Sequence, residues 1–174
     1  WRLTQAVVDE AHGAALAARG WPLHVHLALD TGMHRLGVPA EDTAAIARLF
    51  TLPCLRIDGV FSHLCVADSR EQSDIAYTQG QLEAFYAALR ALRASGHEPG
   101  TVHIQASYGI WNLQPQPCGF ARAGIALYGV RSNPAPVEPP LPLQPVLALR
   151  ARIAAVRDVR AGDAAGYGLA FCPQ

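Results

Sequence analysis

Four apolar segments of this chain are each bordered by a side chain that could bind a ligand or move a proton. Asp30 and Arg35 follow the first segment, and the other three segments are bordered by His63, Ser107 and Arg122. A guanidinium can bind a carboxylate or phenolate oxygen, an imidazole can transfer a proton, and a hydroxyl can donate to a phosphate. Because the carboxyl ends of parallel strands meet at one edge of a sheet or barrel, we expect these side chains to form one site.

Arg122 is the strongest of these candidates. It lies among alanine, glycine and isoleucine, so it should be substantially buried, and a buried guanidinium needs a partner. Gly124 and Ile125 beside it could present free backbone N–H groups. Tyr167 lies between two glycines and could act as an acid or base if its pKa were shifted. Each candidate also has an ordinary structural explanation. Arg35 could be a solvated surface residue, His63 a core residue, Ser107 part of a plain loop and Tyr167 a packing residue.

Two other kinds of site are suggested less strongly. Asp30-Thr31-Gly32 after an apolar strand resembles the catalytic loop of aspartic proteases, which needs two carboxylates that share a proton. That fold is nearly all β, whereas a helix is predicted here within ten residues. The ordinary alternative for Asp30 is a turn residue that bonds its own backbone. His24 and His26 share a strand face without a third ligand at metal-site spacing, so we predict no metal.

The composition and charge of the chain argue against several classes of function. The chain has fourteen arginines and no lysine, so it cannot by itself complete a step that needs a lysine amine. The net charge is zero, and nothing indicates nucleic acid or an anionic membrane as a partner. The four cysteines form no C-x-x-C pair and are expected to be reduced, mostly buried thiols in a cytosolic protein. The start at Trp1 and the end just after Gly166-Tyr167-Gly168 suggest a fragment.

Alternating strand and helix patterns predict an α/β protein with a parallel sheet, as a barrel or as an open sheet. The predicted strands cover 23–29, 56–63, 101–106 and 121–130, and the predicted helices cover 4–19, 39–50 and 73–94. Six prolines within 131–145 predict an interdomain linker. The alternation of 146–159 predicts one or two half-exposed strands that open a β-rich second domain.

Taken together, the ordered motifs resemble the alanine racemase family, which uses pyridoxal phosphate. The matching segments are Asp-Thr-Gly-Met-His-Arg-Leu-Gly at 30–37, Phe-Ser-His-Leu at 61–64, Arg-Ala-Gly-Ile-Ala-Leu-Tyr-Gly at 122–129 and Gly-Tyr-Gly at 166–168. Segments 62–69 and 103–109 look most like the racemase domain of vancomycin-resistance serine/alanine racemases. The resemblance implies later strands of a (β/α)8 barrel over 1–130, the linker at 131–145, and the start of a β-rich C-terminal domain at 146–174.

The implied activity is interconversion of L- and D-alanine, of L- and D-serine, or of both, through an external aldimine and a two-base mechanism. Carried over by position, Arg122 would hydrogen-bond the pyridine nitrogen of the cofactor. Ser107, with the backbone of Gly124 and Ile125, would hold its phosphate. Arg35 would contact the phenolic oxygen of the cofactor and the substrate carboxylate.

The resemblance also implies a head-to-tail homodimer in the full-length protein. Tyr167 would act as one of the two bases on the cofactor of the other subunit, and His63 would link Arg122 to the catalytic tyrosine. The Schiff-base lysine of the family would lie upstream of Trp1. A lysine that many family members carry in carbamylated form to steady the arginine corresponds to Ala28. The expected location is the cytoplasm, and an upstream membrane domain in the parent is left open.

Two other classes remain as alternatives. A non-catalytic pyridoxal-phosphate-binding homeostasis protein has a related barrel, but it is a single domain, and the proline-rich linker and Tyr167 argue against it. A non-enzymatic interaction domain would leave a buried Arg122 without an explanation.

Overall fold

The computed structural model describes residues 3–132 and 140–172. Five strands and four α-helices alternate along the first 112 residues. The strands are β1 (Gln5–Val7), β2 (Leu23–Asp30), β3 (Val38–Pro39), β4 (Leu55–Phe61) and β5 (Thr101–His103). The helices are α1 (Glu10–Ala17), α2 (Thr43–Phe50), α3 (Gln72–Ala94) and α4 (Ser107–Asn112). Two short 3₁₀ helices follow, at Ile125–Tyr128 and Tyr167–Leu169.

The strands form one parallel sheet whose order follows the chain. The order is β1-β2-β4-β5, and β3 pairs with the end of β2. An isolated parallel bridge between Ala106 and Arg122 continues this order past β5. The carboxyl ends of successive strands therefore lie side by side, as the α/β prediction required.

The hydrophobic core lies between this sheet and the helices. Val25, Leu27 and Leu29 on β2 are at most 2% exposed, because alternate side chains of a strand point to the same face. They belong to one buried cluster with Phe85 and Leu89 from α3. The other face of the sheet carries the intervening residues of β2, and the candidate site lies at its carboxyl edge.

The strongest predicted elements are confirmed. The strands predicted at 23–29 and 56–63 correspond to β2 and β4, and the helix predicted at 73–94 corresponds to α3. Gly96 follows α3 in the left-handed region, with φ of 85°, and its N–H donates to the carbonyl of Arg93. A glycine meets this geometry without steric cost, which explains why the helix ends there.

Two predicted helices begin later than expected. Residues 5–7 of the helix predicted at 4–19 instead form β1, because they pair in parallel with residues 25–27 of β2. The helix predicted at 39–50 begins at Thr43. The carboxylate of Asp42 caps it by accepting the N–H of Ala45 at 2.9 Å.

Three predicted strands were wrong in extent or in kind. The strand predicted at 101–106 ends at His103. In the segment predicted as a strand at 121–130, only Arg122 makes a strand-like bridge, and a 3₁₀ helix follows from Ile125. The alternating segment 146–159 forms no regular strand, and within the described chain no segment pairs with it along its length, as a strand requires. The domain division at 131–145 stays a prediction.

The described helices include none with the length and apolar character to cross a membrane. All four cysteines are free thiols. The prediction that most of them are buried was wrong, because Cys54 and Cys172 are exposed and Cys65 and Cys118 are only partly buried.

Candidate active site

A cleft at the carboxyl ends of the strands brings the predicted side chains together. Asp30 and Arg35 line it from the loop after β2, His63 lines it after β4, and Arg122 closes one side. The cleft has a volume of about 240 Å³. His63 also lines a second cleft, whose wall includes Ser107, so the two clefts adjoin. The prediction that the strand-end residues gather at one edge is confirmed.

The guanidinium of Arg122 is held by four groups from two neighbouring strand ends. Its Nη1 donates to Nδ1 of His103 at 2.5 Å, and its Nη2 donates to the carbonyl of Ser62 at 2.7 Å. Nη2 also lies 3.2 Å from Nδ1 of His63 and 3.4 Å from the carbonyl of Ile104. Burial lowers the pKa of Arg122 from its ordinary value, yet an arginine in a protein stays protonated. The sequence predicted that a buried Arg122 needs a partner, and the structure provides a set of neutral hydrogen-bond acceptors.

A second imidazole continues this chain of hydrogen bonds away from Arg122. Nε2 of His103 lies 2.8 Å from Nδ1 of His26. The His103 ring is stacked between Phe61 and Phe120, with centroid distances of 5.0 and 4.3 Å. Burial, and then the charge of Arg122, lower the pKa of His103 to about 4. His103 is therefore neutral near pH 7 and can accept from the arginine.

Sequence reasoning missed His26 and His103 as supports of Arg122. Both lie on the face of the sheet opposite the helices, on β2 and β5. Gly59 on β4 makes room for the His26 ring, because a Cβ there would lie 2.7 Å from that ring. Histidines and a glycine at inward positions of three neighbouring strands were the available signal. Reading it requires the register between the strands, which a single sequence does not supply.

His63 is held at both its ring and its backbone. Since a guanidinium only donates, Nδ1 of His63 is the acceptor from Arg122, which leaves the proton on Nε2. Burial lowers the pKa of His63, and the positive charges of Arg122 and Arg35 lower it further. The carbonyl of His63 accepts from Nε2 of Gln81 at 3.2 Å. His63 is therefore a neutral imidazole of fixed orientation at the junction of the two clefts.

Gln81 on α3 joins the ends of β2 and β4, and sequence reasoning missed it. Its side-chain nitrogen lies 3.3 Å from Oγ1 of Thr31, and its oxygen accepts the N–H of Cys65 at 3.1 Å. Thr31 contacts Oγ of Ser62 at 2.8 Å, and that hydroxyl donates to the carbonyl of Leu29 at 2.7 Å. This network connects Ser62 and Leu29, which line the floor of the first cleft, to helix α3.

Asp30 organises the loop that begins where β2 ends. Its Oδ1 accepts the N–H groups of Gly32 and His34 at 2.9 and 3.0 Å, and its Oδ2 lies 3.0 Å from the His34 ring. Burial alone would raise the pKa of Asp30, but these hydrogen bonds outweigh burial and lower it. Asp30 thus bonds its own turn, and the parallel α/β fold excludes the aspartic protease alternative.

Arg35 lies in the first cleft beside Ala28. Within the described part of the chain, no side chain or carbonyl makes a hydrogen bond or ion pair with its guanidinium. Ala28, which the resemblance aligns with a lysine, is 1% exposed and offers no polar group. The planar donor fork of Arg35 is therefore available to a carboxylate or phenolate oxygen.

The second cleft contains a small cradle of hydrogen-bond donors. Oγ of Ser107 accepts the backbone N–H groups of Gly124 and Ala126 at 2.9 and 3.2 Å. Ser107, Gly124 and Ile125 all line this cleft. The N–H groups of Gly124 and Ala126 already have Ser107 as their partner, whereas the N–H of Ile125 makes no hydrogen bond among the described residues and, with the Ser107 hydroxyl, is a donor that a phosphate group can bind. The residues present fit the phosphate end of pyridoxal phosphate, and Arg122 in the adjoining cleft fits a ring acceptor.

Tyr167 is not brought to either cleft within one chain. It begins the short 3₁₀ helix at Tyr167–Leu169, and its side chain is fully exposed. Its predicted role on a second subunit stays a prediction.

Residues 1–132 match the family model described as the N-terminal domain of alanine racemase. An amino-acid racemase of Enterococcus faecalis is 41% identical over 170 residues, which cover 97% of this chain and 24% of that protein. A serine/alanine racemase of Enterococcus gallinarum is also 41% identical over 170 residues, again covering 97% and 24% of the two chains. The chain thus spans about a quarter of the length of these relatives.

The solved structures agree with this match. Alanine racemase from Bacillus anthracis with bound L-Ala-P has a TM-score of 0.76 and 26% identity, over 95% of this chain and 44% of that chain. The family-model match, the curated relatives and the shared fold lead to one conclusion. The chain belongs to the alanine racemase family, and its sheet is part of that family's barrel.

Proposed function

We propose that this chain is the cofactor-binding part of an amino-acid racemase that uses pyridoxal phosphate and acts on alanine, serine or both. The observation that carries the proposal is the guanidinium of Arg122, held by neutral acceptors at the edge of a cleft that adjoins the cleft lined by Ser107, Gly124 and Ile125. The names of the amino-acid, serine/alanine and alanine racemases among its relatives support the substrate class.

Pyridoxal phosphate, when bound, supplies an electron-withdrawing ring that stabilises negative charge at the substrate Cα. Ser107 and the backbone N–H groups of Gly124 and Ile125 would hold the phosphate. The chain contains no lysine, so the amine that would join the cofactor covalently is not among its residues.

Arg122 would donate to the ring nitrogen. Because a guanidinium does not give up its proton, the ring nitrogen would remain unprotonated. The neutral rings of His103 and His63 fit this role, since a positive charge on either would repel the guanidinium.

Arg35 would bind the substrate carboxylate and the phenolic oxygen of the cofactor, and so orient the Cα–H bond. Tyr167 of a second subunit would hold or remove the proton at Cα from one face of the substrate, which requires the head-to-tail homodimer. His63 would connect that tyrosine to Arg122 through its Nε2–H. We also propose a cytoplasmic location and a domain division at 131–145.

The test is racemisation by the full-length protein that carries this chain. L-alanine and L-serine are each incubated with the protein and pyridoxal phosphate in deuterated water. We expect equal amounts of the two enantiomers, with deuterium incorporated at Cα. Cofactor binding without any change of enantiomer would instead identify a non-catalytic pyridoxal-phosphate-binding protein and overturn the proposal.

A further inference from the structure

His34 has a backbone conformation that side chains rarely adopt. Its φ is 54°, and among the described residues only Cys54, with φ of 64°, is another non-glycine residue in this region. In the left-handed region the Cβ atom crowds the following carbonyl, which is why glycine usually occupies it. A histidine here carries backbone strain, which an interaction of its side chain can offset.

That interaction is made with Asp30. The His34 ring lies 3.0 Å from Oδ2 of Asp30, while its backbone N–H donates to Oδ1 of the same carboxylate. The carboxylate side chain is 13% exposed, whereas the imidazole is 79% exposed. Because Oδ2 can only accept, Nδ1 of His34 carries the hydrogen. The ring thus closes the turn from its solvent side.

The rest of the loop at 31–37 is hydrogen-bonded to neighbouring elements near its two ends. Near the start, the hydroxyl of Tyr77 donates to the carbonyl of Gly32 at 2.7 Å. At the end, the N–H of Gly37 donates to the carbonyl of Val8 at 2.8 Å. Between these two contacts, the only hydrogen bonds that the described structure shows for the loop are those of His34 to Asp30. Arg35 is the next residue.

Arg35 has no hydrogen-bonded partner among the described residues, and Ala28 beside it is apolar. The direction in which its guanidinium enters the cleft therefore depends on the backbone that precedes it. A left-handed residue immediately before it sets that direction, and a change in φ at 34 would turn the side chain elsewhere.

We propose that His34 is a positioning residue for Arg35. The imidazole of His34 binds the carboxylate of Asp30, holds the loop in one conformation and so keeps the guanidinium of Arg35 in the cleft. The inference rests on the proposed function, in which Arg35 binds the substrate carboxylate. His34 touches neither cleft and takes no part in the chemistry itself.

Three substitutions in the full-length enzyme separate backbone from side chain. His34→Gly removes the ring and permits the backbone conformation, His34→Ala removes the ring but keeps the strained Cβ, and His34→Asn tolerates the left-handed region and keeps a donor. We expect the Gly and Ala variants to raise KM for alanine about tenfold with kcat within about twofold, because carboxylate binding is lost equally in ground and transition states. We expect His34→Asn to recover most of the KM.

Two further measurements identify the route. Amide hydrogen exchange at 31–37 should rise in both His34→Gly and His34→Ala. In an Arg35→Met background, His34→Gly should change KM by less than about twofold, since both residues then act through one interaction. Cys54→Gly is the matched control, because it relieves the same backbone conformation outside the cleft and should leave KM unchanged.

An active wild type with unchanged KM in all three His34 variants would overturn the positioning role and leave the racemase proposal intact. An additive effect of His34→Gly in the Arg35→Met background would also overturn it. A wild type that fails to racemise any amino acid would instead overturn the proposed function on which the inference rests.

Discussion

His103 accepts a hydrogen bond from Arg122 at 2.5 Å, and chemistry sets the direction of that bond. A guanidinium has no acceptor, so Nδ1 of His103 must be unprotonated and Nε2 must carry the hydrogen. That hydrogen then points at Nδ1 of His26, 2.8 Å away. The tautomers of both imidazoles follow from the arginine, and Arg122 is oriented from behind by neutral rings.

The first prediction concerns the pH dependence of stability. The pKa of His103 is about 4 in the folded protein, below the ordinary value near 6.5. The neutral form therefore stabilises the fold above pH 6.5, and this stability is lost as the pH falls towards 4. Between pH 7.5 and 5, His103 should account for about 2 kcal/mol of lost unfolding free energy.

His103→Gln removes this titration while it keeps an acceptor for Arg122. Urea unfolding of the full-length protein at both pH values measures the difference. The wild type should lose about 2 kcal/mol more than His103→Gln between them. Equal losses in the two proteins would show that His103 is not buried in its neutral form.

The second prediction concerns the network at the cleft floor. Ser62→Ala removes a donor to the carbonyl of Leu29 and leaves the hydroxyl of Thr31 without that contact. Since Ser62 is 3% exposed, we expect a loss of about 1–3 kcal/mol in unfolding free energy. Ser73→Ala on the exposed side of α3 is the control and should change stability by less than about 0.5 kcal/mol. Equal effects of the two substitutions would contradict the proposed network.

The third prediction concerns this chain on its own. Because it has no lysine, borohydride treatment with pyridoxal phosphate should give no stable pyridoxyl adduct except at the terminal amine. Peptide mass spectrometry locates any adduct. A stoichiometric adduct at an internal residue would contradict the assignment of the site.

Long periodic elements of this fold could be predicted from sequence, and pairing between distant segments could not. The stripe of Leu82, Phe85 and Leu89 identified α3 because apolar side chains recur there at helical spacing. Residues 5–7 form a strand only because β2 lies beside them, and nothing local distinguishes them from the start of a helix. The segment 121–130 carries strand-like residues, yet only Arg122 finds a neighbour.

The candidate site was predictable as a set of strand ends, and its supports were not. Arg122 was expected to need a partner, but His103 and His26 could be named only once the strand register placed them together. The left-handed His34 has no signature in a single sequence. The roles of Tyr167 and of the cofactor-binding residues stay predictions.

The fourth prediction concerns substrate choice. The resemblance is closer to the serine-using branch of the family, so we expect serine to be used at least a tenth as efficiently as alanine. That ratio is about 1.4 kcal/mol in transition-state binding, within reach of one hydrogen bond to the serine hydroxyl. Measurement of kcat/KM for both substrates with the full-length protein decides it. Serine activity about a thousandfold lower would indicate an ordinary alanine racemase.

The central claim is that Arg122 donates to the ring nitrogen of the cofactor and keeps it unprotonated. The most direct test is the ¹⁵N NMR shift of ring-labelled pyridoxal phosphate bound to the full-length protein, in the wild type and in Arg122→Glu. We predict the shift of an unprotonated pyridine in the wild type and of a protonated one in the variant, because a carboxyl group can share its proton with the ring. A protonated ring nitrogen in the wild type, or the same shift in both proteins, would contradict the claim.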